Sequence, residues 1–209
     1  MKKYSHIIWD WNGTLLDDVD RCVGVINRML SSRGLKVFAN IAEYHEVFSF
    51  PVIDYYEKIG FDFEKEPFEE LAVEYISLYH SQSCKLHKNA RTVLREIQRK
   101  GIPQIILSAS EINNLKSQLA DTDITDCFDE ILGISDIYAG SKTDIGLDFM
   151  KRSKVKKAIL IGDTEHDYQT ARTLGTDCVL IANGHQSRGR LSKLGVPVLT
   201  DIIEVLDYL

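Results

Sequence analysis

The stretch His6-Ile7-Ile8-Trp9-Asp10-Trp11-Asn12-Gly13-Thr14 passes from apolar to polar residues close to the start of the chain. Its apolar part is too short for a helix and contains β-branched and aromatic side chains, which predicts a buried strand. The nearly continuous apolar character is typical of a parallel sheet that is covered on both faces. Ligands of such sheets bind beyond the carboxyl ends of the strands, so the polar residues after Trp9 are the first candidates for a functional site.

Similar apolar runs recur along the chain and alternate with longer segments of helical periodicity. Strong strands are predicted at residues 104–108, 158–163 and 178–181, and weaker strands at 130–133 and 196–199. Helices are predicted at residues 87–100, 112–120, 142–151, 166–174 and 202–209. This alternation predicts an α/β fold, a Rossmann-like doubly wound parallel sheet with helices on both faces.

A long insertion interrupts the alternation after the first strand. Apolar residues at helical spacing predict helices near residues 19–30 and 68–79, and Pro51 is suited to the first turn of another. We therefore predict a Rossmann-like core of residues 1–16 and 86–209, with a small helical subdomain of residues 17–85 inserted into it.

The composition is that of an ordinary globular protein. The 209 residues suffice for one domain with a modest insertion, and 44% hydrophobic with 27% charged residues exclude a disordered or collagen-like chain. The net charge of -6 argues against a nucleic-acid or anionic-membrane partner. No apolar run is long enough to span a membrane, and no secretory signal is recognisable, so we expect a cytoplasmic protein with free thiols. The oligomeric state stays open.

Polar residues follow the strong strands at the edge where ligands are expected. Asp10 ends the first strand, Ser108 the second, and Asp163 the third, while Lys142 opens a helix between the last two. A carboxylate in such a place can attack phosphorus or bind a hard cation. A hydroxyl and a lysine can orient the charge that develops during phosphoryl transfer. The sequence therefore predicts a site that handles phosphate through Mg²⁺.

The same residues carry a family resemblance. Residues 10–14, Ser108, Lys142 and residues 162–167, in this order, resemble the four motifs of the haloacid dehalogenase superfamily, and the insertion resembles its helical cap. The similarity is nearest to the phosphoglycolate phosphatase-like branch. It implies a Mg²⁺-dependent phosphatase that acts on a small phosphorylated metabolite.

The resemblance also implies a role for each motif residue. Asp10 would be the nucleophile that forms an aspartyl-phosphate, Ser108 would hydrogen-bond the phosphoryl group, and Lys142 would hold the two together. Asp167 would support the metal or position Lys142. Phosphate binding would fall to Gly13, Thr14, Ser108, Ala109 and Lys142, and metal binding to Asp10, the backbone carbonyl of Asn12, Asp163 and Asp167.

Asn12 departs from the family pattern, because the phosphatases normally have a second aspartate there that protonates the leaving alcohol. An amide cannot transfer that proton at neutral pH. Since general acid–base catalysis contributes roughly 10²–10⁴-fold, catalysis should be weakened. Three hypotheses follow. In the first, the protein is a slow phosphatase in which water, Asp17, Asp18 or His166 takes over the proton transfers of the missing acid.

Two other hypotheses are compatible with the sequence. The substrate could need no strong acid, as with an acyl phosphate or the carbon–phosphorus bond of phosphonoacetaldehyde, whose hydrolase branch adds a Schiff-base lysine from the cap. Lys36, Lys58 and Lys65 are available for that role, although none lies in a recognisable motif. Alternatively, the chain is a low-turnover phosphate-sensing or binding protein. A receiver domain of a two-component system shares the acid, hydroxyl and lysine, but neither the insertion nor the Gly162-Asp163 motif fits it.

Overall fold

The computed structural model describes residues 3–79, 85–135 and 142–209. The strands in these ranges are β1 (His6–Trp9), β2 (Leu16–Asp17), β3 (Lys85–Leu86), β4 (Gln104–Glu111), β5 (Glu130–Ile134), β6 (Ala158–Gly162), β7 (Asp177–Ile181) and β8 (Val198–Leu199). The α-helices are α1 (Val19–Ser32), α2 (Ile41–Val47), α3 (Val52–Lys58), α4 (Phe68–Tyr79), α5 (Ala90–Arg99), α6 (Ile112–Ala120), α7 (Thr143–Arg152), α8 (Glu165–Leu174) and α9 (Arg188–Leu191). Short 3₁₀ helices span Thr125–Cys127, Ser192–Leu194 and Ile202–Tyr208.

Six of the strands form one sheet in the order β5-β4-β1-β6-β7-β8, and every neighbouring pair is parallel. The chain winds outward from β1 in both directions, so the strand order reverses between β1 and β6. This topology confirms the predicted doubly wound α/β fold. It also places the reversal, where such sheets bind ligands, between the strands that precede Asp10 and Asp163.

Alternation of side chains along β1 divides the core between the two faces of the sheet. Ile7 and Trp9 belong to the larger hydrophobic cluster, whereas Ile8 belongs to the cluster on the opposite face. All three side chains are almost completely buried. Burial on both faces explains the continuous apolar run that marks this strand in the sequence.

The predicted strands and helices are present, with differences at their ends. The helix predicted at 202–209 is a 3₁₀ helix, and its inward-facing Ile202 and Val205 are three residues apart, the period of that helix. Strand β4 runs to Glu111, with a register shift against β5 after Leu107. Helix α2 was not predicted, because its seven residues include only three large apolar side chains.

Helices α1 to α4 lie between β2 and β3 in sequence and share a hydrophobic cluster separate from those of the sheet. Strand β2 pairs antiparallel with β3, with Leu16 opposite Leu86 and Asp17 opposite Lys85. The chain therefore enters and leaves the helical region at neighbouring points. The division at residues 17 and 85 stays a prediction, although this pairing is consistent with it.

The expectations of free thiols and of no membrane-spanning helix can be compared with the described residues only. No disulfide joins Cys22, Cys127 or Cys178, and Cys84 lies outside the described residues. Within the described ranges, no helix combines the length and apolar character needed to cross a bilayer.

Candidate active site

The ends of three neighbouring strands bring the predicted residues to one edge of the sheet. Asp10 directly follows β1, Asp163 directly follows β6, and Ser108 lies in the irregular part of β4. The Asp10 amide donates a 2.8 Å hydrogen bond to the carbonyl of Ile161 in β6, which fixes the start of the loop. All three predicted side chains are buried.

Lys142 links two carboxylates at the centre of this edge. Its Nζ contacts Asp10 Oδ1 and lies 2.6 Å from Asp167 Oδ1, and the side chain is only 2% exposed. Burial by itself would lower the pKa of Lys142, but the two adjacent carboxylates outweigh it and raise that pKa. The ammonium group therefore stays charged and holds Asp10 in place.

Asp10, Asp163 and Asp167, hereafter the carboxylate cluster, each offer an oxygen within 4.8 Å of the others. Burial, followed by the charge of Asp167, raises the pKa of Asp10 well above its usual value. Burial and Asp167 also raise the pKa of Asp163 to about 6, against the opposing effect of His185. Burial would raise the pKa of Asp167 too, but Lys142 and Thr164 lower it.

This cluster fits a hard divalent cation. Its donors are carboxylate oxygens, which are the ligands that Mg²⁺ prefers. Lys142 is the single lysine or arginine that pairs with the cluster among the described residues, so three carboxylates face one ammonium group. A bound cation would balance the excess negative charge.

Close backbone approach shapes the pocket around Asp163. Thr14 Oγ1 donates to Asp163 Oδ1 at 2.8 Å, and the amide of His185 donates to Asp163 Oδ2 at 2.6 Å. A Cβ atom on Gly13 would lie 2.4 Å from Asp163 Oδ2, and one on Gly184 would lie 2.1 Å away. These short distances mean that both positions require glycine. At Gly13 the φ of 74° is a second reason, because residues other than glycine rarely adopt it.

Asp167 has a second set of contacts besides Lys142. Its Oδ2 accepts hydrogen bonds from the Thr164 amide at 3.0 Å and the Thr164 hydroxyl at 2.6 Å. Thr164 and Asp167 thereby form the capping box at the start of α8. Asp167 thus contacts Lys142 through one oxygen and the start of α8 through the other, and its role as a metal ligand stays a prediction.

The remaining predicted phosphate ligands are nearby. Ser108 and Ala109 line the cavity next to Asp10, and Ser108 Oγ accepts a hydrogen bond from the Ser110 amide at 3.0 Å. The amides of Gly13 and Thr14 donate within their own loop, to Asp18 Oδ1 at 2.8 Å and to a backbone carbonyl at 3.3 Å. Their role in phosphate binding therefore stays a prediction.

The side chain of Asn12 is fixed by hydrogen bonds at both ends. Its Nδ2 donates to Asp18 Oδ2 at 2.8 Å, and its Oδ1 accepts from the Ser110 hydroxyl at 2.7 Å. Tyr79 also donates to Asp18, at 2.7 Å. Burial would raise the pKa of Asp18, but a hydrogen bond from His185, together with its charge and other donors, lowers it to about 2. Asp18 is thus ionised at neutral pH and cannot replace the missing acid as a proton donor.

The two histidines at this edge have opposite electrostatic settings. Burial and Lys142 lower the pKa of His166 to about 4, and its ring stacks on Phe50 with 4.6 Å between centroids. Burial would lower the pKa of His185, but Asp18, 3.4 Å from its Nε2, raises it to about 9. His185 Nδ1 in turn lies 2.7 Å from the Tyr44 hydroxyl.

Sequence reasoning missed His185 and the central place of Asp18. A signal for His185 was present, because it follows the end of β7 at the same edge of the sheet. Asp18 was predicted only as a possible replacement for the acid, and its hydrogen bond with Asn12 is a result of the fold.

Comparisons with known proteins agree with this geometry. A family model described as haloacid dehalogenase-like hydrolase matches residues 7–181. A phosphoglycolate phosphatase from Rhodobacter capsulatus is 24% identical over 192 residues, which cover 86% of this chain and 85% of that protein. A solved structure of a predicted phosphatase from Clostridium acetobutylicum has a TM-score of 0.84 at 19% identity, covering 99% of this chain and 98% of that one. A haloacid dehalogenase-like family protein from Streptococcus pneumoniae has a TM-score of 0.84 at 20% identity, covering 100% and 99%.

Proposed function

Because this chain belongs to the haloacid dehalogenase-like hydrolases and is an enzyme of their phosphatase type, we propose that it hydrolyses a small phosphate monoester with Mg²⁺ as its cofactor. The observation that carries the proposal is the contact of Lys142 with both Asp10 and Asp167 at the point where the strand order reverses. Such an arrangement presents one carboxylate as a nucleophile and keeps positive charge beside it.

In the proposed reaction, Asp10 attacks the phosphorus atom while the bond between phosphorus and the ester oxygen breaks. The alcohol leaves with the electron pair of that bond, and Asp10 carries an aspartyl-phosphate. Water then attacks this phosphorus atom, which restores the Asp10 carboxylate and releases inorganic phosphate. Ser108 and Lys142, which line the cavity together with Asp10, would bind the phosphoryl oxygens during both steps.

Asp10, Asp163 and the backbone carbonyl of Asn12 would hold the Mg²⁺ ion, with Asp167 behind Lys142. When bound, the ion would supply positive charge against the phosphoryl oxygens. The contacts of Thr14 with Asp163 and Asp10 support this assignment, because they orient both carboxylates toward the same space.

Proton transfer to the leaving alcohol is the weak point of the site. Asn12 cannot supply a proton, Asp18 is ionised, and His166 is neutral at pH 7 because its pKa is about 4. The raised pKa of about 9 keeps His185 protonated, but its two ring nitrogens face Asp18 and Tyr44, so in this proposal the alcohol leaves as its anion or takes a proton from water. A site of this kind is suited to esters of acidic alcohols and slow on ordinary alkyl phosphates.

The Schiff-base alternative receives no support from the cap. Lys36, Lys58 and Lys65 are all exposed, and none of them lines the cavity beside Asp10. A carbon–phosphorus hydrolase that depends on such a lysine therefore lacks its key group among the described residues.

Phosphate release from a panel of monoesters, with Mg²⁺ and with a chelator, tests the proposal. We expect metal-dependent release that Asp10→Asn abolishes, together with ³²P label trapped on the wild-type protein by acid quenching. Asp20→Asn is the matched control, since Asp20 is an exposed acid at the start of α1. Undiminished release by Asp10→Asn would refute the proposed nucleophile.

A further inference from the structure

A cavity of about 200 Å³ lies between the inserted helices and the carboxylate cluster. Six of the aromatic residues that line it are hereafter called the aromatic wall: Tyr44, Phe48, Phe50, Tyr55, Tyr75 and Tyr79. Several of these rings pack against one another, with centroids 5.1 Å apart for Tyr44 and Phe48 and 5.2 Å apart for Phe48 and Tyr55. The wall is thus a preformed apolar surface of a kind that binds a ring.

The charges around this cavity disfavour a second anionic group on the substrate. Lys142 is the single lysine or arginine among the described residues of the lining, and Asp10 and Asp167 already engage it. Asp18 and Glu111 add further carboxylates to the lining, and His185 lies against Asp18. A substrate carboxylate would therefore meet aromatic faces and like charges without a free cationic partner.

One polar atom in the wall has no partner. The Tyr55 hydroxyl is fully buried and makes no hydrogen bond with any described residue. Because this oxygen has almost no accessible surface, a molecule in the cavity cannot reach it, and Tyr55 contributes an apolar ring to the wall.

The size of the cavity and the chemistry of Asn12 lead to the same type of molecule. An apolar cavity of roughly 150 Å³ takes up a benzene ring, so the space here suits one substituted ring. Phenols ionise near pH 10, as tyrosine does, and leave from phosphorus with little help from an acid. The fixed Asn12 amide, which cannot provide that help, is therefore no handicap for a phenol ester.

We propose that the preferred substrate is the phosphate monoester of an uncharged phenol, rather than phosphoglycolate or another phosphate with a second anionic group. This inference rests on the proposed function, because it assumes that the ester is cleaved at Asp10. It selects the substrate class within that function from the walls of the cavity.

The test compares kcat/KM in Mg²⁺ for phenyl phosphate, 4-hydroxyphenyl phosphate, 4-carboxyphenyl phosphate and phosphoglycolate. Phenyl phosphate and 4-carboxyphenyl phosphate have leaving groups of similar acidity. The ratio of their kcat/KM values therefore reports the effect of the carboxylate charge. We expect the kcat/KM of phenyl phosphate and of 4-hydroxyphenyl phosphate each to exceed that of 4-carboxyphenyl phosphate by about 100-fold, since the hydroxyl ester carries a substituent without a charge. Phosphoglycolate turned over as well as phenyl phosphate would overturn the inference.

Inhibition by non-hydrolysable analogues separates binding from leaving-group chemistry. We expect phenylphosphonate to inhibit at concentrations far below those needed for phosphonoacetate, which carries a carboxylate in place of the ring. Equal inhibition would contradict the role of the aromatic wall. If no ester releases phosphate in a metal-dependent way, the proposed function itself fails, which is a different outcome from release with the wrong preference.

A matched pair of variants on α3 locates the preference. Val52 is half-buried and lines the cavity, whereas the adjacent Ile53 is 38% exposed and does not. Val52→Arg should lower the ratio of kcat/KM for phenyl phosphate to kcat/KM for 4-carboxyphenyl phosphate by about tenfold. Ile53→Arg should leave this ratio unchanged. A folded Val52→Arg protein with the original ratio would contradict the proposed contact. If Val52→Arg does not fold, the wild-type ratios and inhibition constants decide.

Discussion

The carboxylate cluster and the aromatic wall face each other across one cavity, but different forces hold them. In the cluster, Lys142 and Thr14 fix the carboxylates through short polar contacts in a buried setting. In the wall, rings such as Phe48 and Tyr55 are held by packing alone, and the Tyr55 hydroxyl stays unpaired. In the function proposed above, the cluster would select the bond that is broken, and the wall would select the alcohol that leaves.

The largest effect is expected from a substitution that removes the lysine of the carboxylate cluster. Lys142→Met leaves two buried carboxylates without their shared partner, which should lower the free energy of unfolding by about 3–5 kcal/mol and abolish phosphate release. Chemical denaturation with a chelator and with Mg²⁺ measures this, and the metal should restore part of the lost stability. Lys157→Met is the control, since Lys157 is 55% exposed and 3.8 Å from Asp177. Equal stability changes in the two variants would contradict the central position of Lys142.

The next largest effect is expected from an exchange of the side chains at positions 12 and 18, which tests the role of Asn12. Asn12→Asp combined with Asp18→Asn keeps a hydrogen-bonding pair at the 2.8 Å contact but places the carboxyl group where the reaction needs an acid. Turnover of alkyl phosphates should rise by about 10-fold or more, and turnover of phenyl phosphate far less, because a phenol needs little protonation.

The measurement for this pair is the slope of log kcat/KM against the pKa of the leaving alcohol, because kcat/KM reports the step in which the alcohol leaves. A shallower slope in the double variant than in the wild type is the expected result. Asp18→Asn alone controls for the loss of the buried charge. Equal gains on alkyl and aryl esters, or a loss on both, would count against the assigned role of position 12.

The smallest effect concerns the wall. Tyr55→Phe removes a buried hydroxyl that has no partner, so the free energy of unfolding should stay the same or rise by up to about 1 kcal/mol. Tyr44→Phe should lower it by about 1 kcal/mol, because that hydroxyl lies 2.7 Å from His185 Nδ1. Thermal or denaturant unfolding compares the two. Equal losses of stability in the two variants would contradict the missing partner of the Tyr55 hydroxyl.

Much of the core could be predicted because its elements follow from local patterns. The strand at Ile7 and the helix that begins near Glu165 each have a period and an end signal within a few residues. The helix at 41–47 and the 3₁₀ form of 202–208 gave weaker signals, since both are short and decided by what they pack against. Periodicity could thus locate most elements but not their exact type.

The amino-acid sequence by itself determined the α/β alternation, the insertion after the first strand, and the order of Asp10, Ser108, Lys142 and Asp163 along the chain. Tertiary structure decided what these residues do together. Asp18 contacts Asn12, His185 contacts Asp18, and the Tyr55 hydroxyl is buried without a partner only because distant segments fold against one another. The reason is physical, since burial and the charge of a neighbour, which set a pKa or leave a hydroxyl unpaired, depend on distances in space that spacing along the chain does not fix.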